Sequence, residues 1–310
     1  MGYGDYLMLT AVADNARRDG KKISFYYLTS RKKKVQTKKH SKLELLSNNP
    51  DVAEILIESR PRFCLRRIYR SLSFKRNYIY FPLRRFTRSY MQPIKGQKNH
   101  FNLLSNGKHG IKKFCEKAGI SIRSLQPKIF LRQEEIDKAD AILRENKLQD
   151  KTYIIVETGT LLPDSNKAWP EEYWESLFYK IKKFYPQFKL VQISPGQKSF
   201  FGVTDISGKT SFRESLRFVQ QSAATITTEG ALVHASAAFH KPSVVLVSRC
   251  MDPGLSTYPR HQQVFVNNGL HCAGCGAFTE CDHDRRCMRG ISADRVFKAV
   301  EKMIKVNNIY

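Results

Sequence analysis

Short apolar runs alternate with helical stretches along the whole chain, and that alternation limits the fold more than any other feature. The run 153–156, Tyr-Ile-Ile-Val, is apolar on both faces, as in a strand buried on two sides within a parallel sheet. A helix is expected over 171–184, opened by Pro170 at a position that suits a first turn. Strands follow at 190–194, 224–227 and 243–247, interleaved with helices at 211–221 and 230–239. A last helix runs over 292–304 with Ser292 as its N-cap. Upstream, Leu7, Leu9, Val12 and Ala16 have helical spacing, and Ile23, Phe25 and Tyr27 alternate as a strand does. A short helix at 43–46, strands at 52–57 and 77–81, and helices at 111–118 and 134–148 complete the series. The expectation is an α/β protein with parallel sheets flanked by helices. A chain of 310 residues has room for two cores, and a change of texture at 148–151 puts the boundary between residues 1–150 and 151–310. With 41% hydrophobic residues, wholesale disorder is excluded. No apolar run approaches the ~20 residues of a membrane helix.

Charge divides the chain unequally. The formal net charge is +25, from 53 Lys+Arg against 28 Asp+Glu. Residues 1–150 carry 33 and 14 of these, a net of +19, which leaves +6 for residues 151–310. The first half contains Arg-Lys-Lys-Lys at 31–34, Lys38-Lys39, Arg66-Arg67 and Arg84-Arg85, with Tyr69, Phe74, Tyr78, Tyr80, Phe81, Phe86 and Tyr90 interleaved. Such a surface can neutralise phosphates and stack bases, or meet anionic lipid head groups and glycans; its aromatics can equally belong to a core under a solvated face. No nucleic-acid module accompanies the charge, which makes nucleic acid the least favoured partner. Asp5 and the lack of a basic leader argue against a secretory signal, and Tyr6 breaks the myristoylation pattern after Gly2, so a cytoplasmic location is the expectation.

The most informative stretch is Ala224-Thr-Ile-Thr-Thr-Glu-Gly-Ala-Leu-Val-His234. An apolar strand ends, a polar turn follows, and a small-residue helix begins at Gly230. In open α/β sheets ligands bind at the carboxyl ends of strands, and a helix N-terminus there suits a diphosphate. Glu229 stands where it can hold sugar or ribose hydroxyls; alternatively it is an ordinary first-turn charge. Lys167-Ala-Trp-Pro170 puts a cation ahead of a helix, after a strand and a loop. Gly208-Lys209-Thr210 looks like a phosphate loop but lacks the upstream Gly-x4 spacing, so a P-loop is rejected.

Together these pieces resemble glycosyltransferase family 9, the family of the lipopolysaccharide heptosyltransferases. The resemblance rests on Gly2-Tyr-Gly-Asp5 and the Leu-Met-Leu-Thr that follows it, and on Asn48-Asn-Pro-Asp-Val52. It continues through Lys167-Ala-Trp-Pro170, Ser207-Gly-Lys-Thr-Ser211, Glu229-Gly-Ala-Leu-Val-His234, Lys241-Pro242, Tyr258-Pro259 and the run 269–288. It implies a GT-B fold, two Rossmann-like domains facing across a cleft, with the acceptor on the basic N-terminal domain and the nucleotide-sugar donor on the C-terminal one. Three departures stand out. Met1 sits almost at the glycine loop, so either the first strand of the N-terminal domain is missing or the true start lies upstream. Glu229 replaces the usual Asp of the donor turn, and Gly230-Ala231 the usual glycine pair.

The resemblance also implies roles. Asp5, flanked by Gly2 and Gly4 in the acceptor loop, would be the base of an inverting transfer; its alternative is a helix N-terminal charge. Lys167 and the helix start at Gly230 and Ala231 would stabilise the leaving diphosphate without a divalent metal. Glu229 and His234 would line the donor, and Thr158 and Thr160 would reach its phosphates. Heptose from an ADP-heptose-like donor, passed to a lipopolysaccharide or other anionic glycolipid or glycan, is the reading the resemblance favours. Peripheral contact with the inner face of the cytoplasmic membrane goes with it. A protein-modifying heptosyltransferase, an inactive relative, and a non-catalytic metal-containing nucleic-acid binder are the alternatives.

Cys272, Cys275, Cys281 and Cys287 read Cys-x2-Cys-x5-Cys-x5-Cys inside the loop 269–290, with His271 and His283 beside them. The first pair is a metal knuckle, and a structural Zn or Fe site is the favoured expectation over free thiols or disulfides. No cofactor is expected to be needed for catalysis.

Overall fold

The structure, a computed structural model, describes residues 2–29, 37–59, 78–83, 92–93, 101–102, 107–159, 165–193, 198–266, 270–276 and 281–309. The basic stretches at 31–34, 66–67 and 84–85, the aromatics Tyr69, Phe74, Phe86 and Tyr90, and Cys64 and Thr160 lie outside the described residues. The chain forms two compact units, one of residues 1–90 and 109–130, the other of residues 91–108 and 131–310.

The first unit contains α1 (Tyr3–Arg18), β1 (Lys22–Thr29), α2 (Thr37–Ser47), β2 (Val52–Ser59), β3 (Tyr78–Pro82) and α3 (Gly110–Ala118). Its strands form a parallel sheet in the order β2-β1-β3. Helix α1 starts at Tyr3, ahead of the apolar spacing that begins at Leu7, because Asp5 in its first turn accepts the Gly2 amide at 2.6 Å. Leu7, Leu9, Ala11, Val12, Ala13 and Ala16 are fully buried. Asn15 ties the segment after α3 to α1: its carbonyl accepts the amides of Arg123 and Ser124, and its amide donates to Ser124 O at 2.7 Å. Buried Asp14 takes hydrogen bonds from Lys128, Arg17 and Arg18. Burial alone would raise its carboxyl; these cations outweigh burial and hold it at about 2. Lys128 also reaches Asp51 at 3.0 Å, so the Asn48–Val52 motif is pinned to the same cluster.

The second unit contains the short pair β4 (Gln92–Pro93) and β5 (Phe101–Asn102), then α4 (Gln133–Glu145), β6 (Tyr153–Glu157), α5 (Glu171–Phe184), β7 (Lys189–Gln192), β8 (Val203–Asp205) and α6 (Phe212–Gln221). After these come β9 (Ala224–Thr228), α7 (Ala231–Ala238), β10 (Ser243–Leu246), β11 (His261–Val264), α8 (Arg286–Arg289) and α9 (Ala293–Val306). Six parallel strands run in the order β11-β10-β9-β6-β7-β8. The chain builds β6 to β8 outward on one side and then returns to lay β9 on the other side of β6, so the strand order reverses between β6 and β9. That is the point where a doubly wound sheet opens for a ligand. Ser292 caps α9 by accepting the Arg295 amide, as its sequence position suggests.

Helix α4 lies upstream of the texture change at 148–151 yet belongs to the second unit. Glu135 on α4 and Arg213 on α6 form a buried pair, with Arg213 Nη2 at 2.8 Å from Glu135 Oε2, and Arg217 pairs with Asp140 on the same two helices. Trp169 and Trp174 meet edge to face at 4.8 Å in the core of this unit, and the Trp169 indole N–H donates to Ile291 O at 2.8 Å. Among the described residues no helix is long and apolar enough to cross a membrane.

His109 in the first unit and His261 in the second set an acid limit. Burial pushes His109 and His261 down to about 4 from an ordinary 6.5. The unfolded chain therefore binds more protons between those values, and stability is fully present above pH 6.5 and lost as pH falls toward 4. Each histidine should cost about 2 kcal/mol at pH 5 relative to pH 7.5. Asp14 and Glu135, both held at about 2, lose their contributions only in stronger acid. Denaturant unfolding at pH 7.5 and pH 5 checks this: His261→Gln should flatten the slope, and a wild-type stability equal at both pH values would contradict it.

Candidate active site

The carboxyl ends of β6, β9 and β10 bring the informative residues of the second half together. Strand β9 ends at Thr228, Glu229 forms the turn, and extended Gly230 is the N-cap of α7. Gly230 has no side chain to cap the helix, so the first amides of α7 receive none from it. Among the described residues a Cβ at 230 would meet nothing nearer than Glu157 Oε2, at 3.5 Å, which is ordinary contact. The neighbouring protein does not itself require a glycine there. Thr227 donates to Glu157 Oε2, joining the ends of β9 and β6 across the reversal.

Lys167 approaches from the loop after β6, with Nζ 3.5 Å from the Glu229 carbonyl. It is held from both sides: Trp169 is anchored in the core, and Asn166 Nδ2 donates to Gly276 O at 2.9 Å. Glu229 is 4% exposed. Its Oε2 accepts the Ser248 hydroxyl at 3.0 Å, while Oε1 is buried without a hydrogen-bond partner among the described residues. Burial pushes this carboxyl above the ordinary carboxylate range, opposed in part by Lys167 and Ser248. An isolated buried carboxyl oxygen is costly, and a hydroxyl-bearing ligand would relieve it.

His234 lies one turn into α7, buried, with Nδ1 2.7 Å from the Tyr258 hydroxyl. Burial holds Tyr258 well above the ordinary phenol range, so it remains a neutral O–H. Thr158 turns inward: it is buried and donates to Gln192 Oε1 at 2.8 Å. Asp5, Gly2 and Gly4 lie at the start of α1 in the first unit, with Asp5 partly exposed.

The thiol loop starts beside this cluster. Gly274 donates to Arg249 O at 2.7 Å and Gly276 to Cys250 O at 2.9 Å. Burial raises Cys275 to about 11, and the neighbouring thiols Cys281, Cys272 and Cys287 push the same way. Four thiolate-forming side chains in one loop have the chemistry that suits a thiophilic ion. Among the described residues, however, no three His, Cys, Asp or Glu side chains converge closely enough to hold a metal. The roles of Ser248, Cys250, Asn166 and Glu157 emerge only from the structure. Ser248 and Glu157 had a legible signal, since each closes or just follows a strand at its carboxyl end.

Residues 108–275 match the model of glycosyltransferase family 9 (heptosyltransferase). The chain belongs to glycosyltransferase family 9. No curated protein sequence matches it. Among solved structures, the family 9 glycosyltransferase of Veillonella parvula is similar at 14% identity with a TM-score of 0.64, covering 98% of this chain and 95% of that one. E. coli heptosyltransferase WaaC with ADP gives 15%, 0.58, 98% and 97%. Dodecameric iron-containing heptosyltransferase TibC of enterotoxigenic E. coli, in complex with ADP-D-β-D-heptose, gives 15%, 0.60, 98% and 73%. At such identities the likeness concerns the fold, which is the GT-B fold of family 9. Membership makes the chain a heptosyltransferase-like glycosyltransferase.

Proposed function

We propose that this family 9 protein transfers heptose, with inversion, from ADP-heptose to an anionic surface glycan or glycolipid such as lipopolysaccharide. One observation carries the donor half of this reading: a buried carboxylate with one oxygen unpartnered among the described residues, beside a glycine-started helix and a lysine. The structures of WaaC with ADP and of TibC with ADP-heptose support the nucleotide and the sugar.

In the proposed reaction Asp5 takes the proton of the acceptor hydroxyl as its oxygen bonds to the anomeric carbon. The bond from that carbon to the diphosphate breaks, and its electron pair stays on the leaving oxygen. Lys167 and the amides at Gly230 and Ala231 stabilise that charge, the task a divalent cation performs elsewhere. Glu229 Oε1 accepts a donor hydroxyl, and His234 lines the same side. Thr158 serves by shaping the loop through Gln192, since its hydroxyl is spent there. Thr160, outside the described residues, keeps its proposed place at the donor phosphates. The basic first half would dock the acceptor and favour peripheral contact with an anionic membrane that high salt releases.

A protein acceptor is the second reading. It is favoured by the thiol loop together with the likeness to TibC, an iron-containing heptosyltransferase. Cys272, Cys275, Cys281 and Cys287 are proposed to close on a structural Zn or Fe that pins the loop, a convergence tighter than the described residues show, and no catalytic step runs through it. Less than about 0.2 metal equivalents in purified protein would remove that part.

A thermal-shift panel tests the donor. ADP-heptose at about 100 times its Kd should stabilise the protein by about 2.7 kcal/mol, with UDP- and GDP-linked sugars giving no shift. Stabilisation by UDP or GDP donors alone would overturn the choice of nucleotide, and none by any nucleotide sugar would overturn the function.

A further inference from the structure

We propose that Ser248 and Cys250 are positioning residues for Glu229, a relay of two buried donors that holds one carboxylate oxygen and turns the other to the donor. This deepens the function proposed above and rests on Glu229 meeting that ligand. Strand β10 ends at Leu246, and the next residues run across the carboxyl edge of the sheet. Ser248 and Cys250 are both fully buried there. The Ser248 hydroxyl donates to Glu229 Oε2 at 3.0 Å, and its Oγ lies 2.8 Å from Cys250 Sγ. A serine has one proton to give. With that proton spent on Glu229, the second contact must run the other way, from the thiol S–H to the serine oxygen. The direction of the whole relay follows: Cys250 donates to Ser248, and Ser248 donates to Glu229.

Two features explain why this carboxylate needs holding. Glutamate has one more rotatable bond than the aspartate usual at this turn, so more freedom is lost when it is fixed. Its other oxygen has no hydrogen-bond partner among the described residues, so no described hydrogen bond orients it. The relay is itself held by the thiol loop, since Gly274 and Gly276 bond to the carbonyls of Arg249 and Cys250. The same arm accepts from Asn166 beside Lys167. One backbone arm therefore steadies both the lysine and the carboxylate of the proposed donor site.

Calorimetric titration of ADP-heptose into wild type, Glu229→Gln, Ser248→Ala, Cys250→Ala and Cys250→Ser tests this, with melting followed on the same samples. Ser248→Ala should weaken binding about tenfold and Cys250→Ala about threefold, the size expected when a hydrogen bond to a charged group is lost or misdirected. Cys250→Ser should restore affinity to within about twofold, because a hydroxyl can make the same donation. Wild-type affinity in both alanine variants, with Glu229→Gln weakened, would overturn the relay. So would Cys250→Ser binding as poorly as Cys250→Ala, since the thiol would then act by packing alone. Unchanged binding in Glu229→Gln would instead sink the donor role of Glu229, a different failure. If Ser248→Ala does not fold, the cysteine pair decides.

Discussion

Asp5→Asn lowers turnover by about 10²–10⁴-fold and leaves donor affinity within about twofold, if Asp5 is the base. The substitution suits the local structure. Asp5 stands in the first turn of α1 and accepts the Gly2 amide at 2.6 Å. An asparagine carbonyl can accept the same amide, so the start of the helix survives, while the amide nitrogen cannot take the acceptor proton. Loss of rate at unchanged stability therefore isolates basicity from capping. If Asp5 only caps, its charge is worth about 0.3–1 kcal/mol at the helix N-terminus and turnover stays at the wild-type level. Steady-state release of ADP with both substrates saturating, beside the donor Kd, separates the two roles. Wild-type turnover in the variant would sink the assignment.

Glu135→Ala costs about 3–5 kcal/mol of stability in the second unit, through the charge it leaves behind. Glu135 and Arg213 have side chains 6% and 5% exposed. Burial alone would raise the Glu135 carboxyl; hydrogen bonds from Arg213 and Arg132 overcome it and hold the group at about 2. Removing the carboxylate keeps the guanidinium of Arg213 buried beside α4 with its bidentate partner gone, a much larger loss than the pair is worth against apolar replacements. The double variant Glu135→Leu with Arg213→Leu should be more stable than Glu135→Ala for that reason. Urea unfolding of the three proteins at pH 7.5 reads the difference, and a loss below about 1 kcal/mol in Glu135→Ala would contradict the account.

Much of the fold was legible because it depends on local periodicity. Helix α5 spans the residues expected of it, and strands β9 and β10 lie within one residue of their expected ends. Helix α1 ran longer than its apolar spacing, because the Asp5 cap extends it to Tyr3. The sequence puts helix α4 in the first half, but its place in the second unit depends on an ion pair 78 residues apart in sequence. Texture at 148–151 reports a change in local composition and carries no information about such a partner.

The candidate site divides in the same way. Turn chemistry, seen in the sequence, determined that Glu229 and Gly230 stand between a strand and a helix and that Lys167 precedes one. The order of strands was decided only by tertiary packing. It is that order, reversing between β6 and β9, that sets Glu157 against Thr227 across 70 residues of chain. The same packing turns Thr158 inward to Gln192 and places Ser248 on Glu229. Periodicity encodes which face of each element is apolar, whereas the partner of a buried hydroxyl depends on which strands become neighbours. That choice minimises exposed apolar area and unpaired polar atoms over the whole sheet at once, so no single segment of sequence contains it.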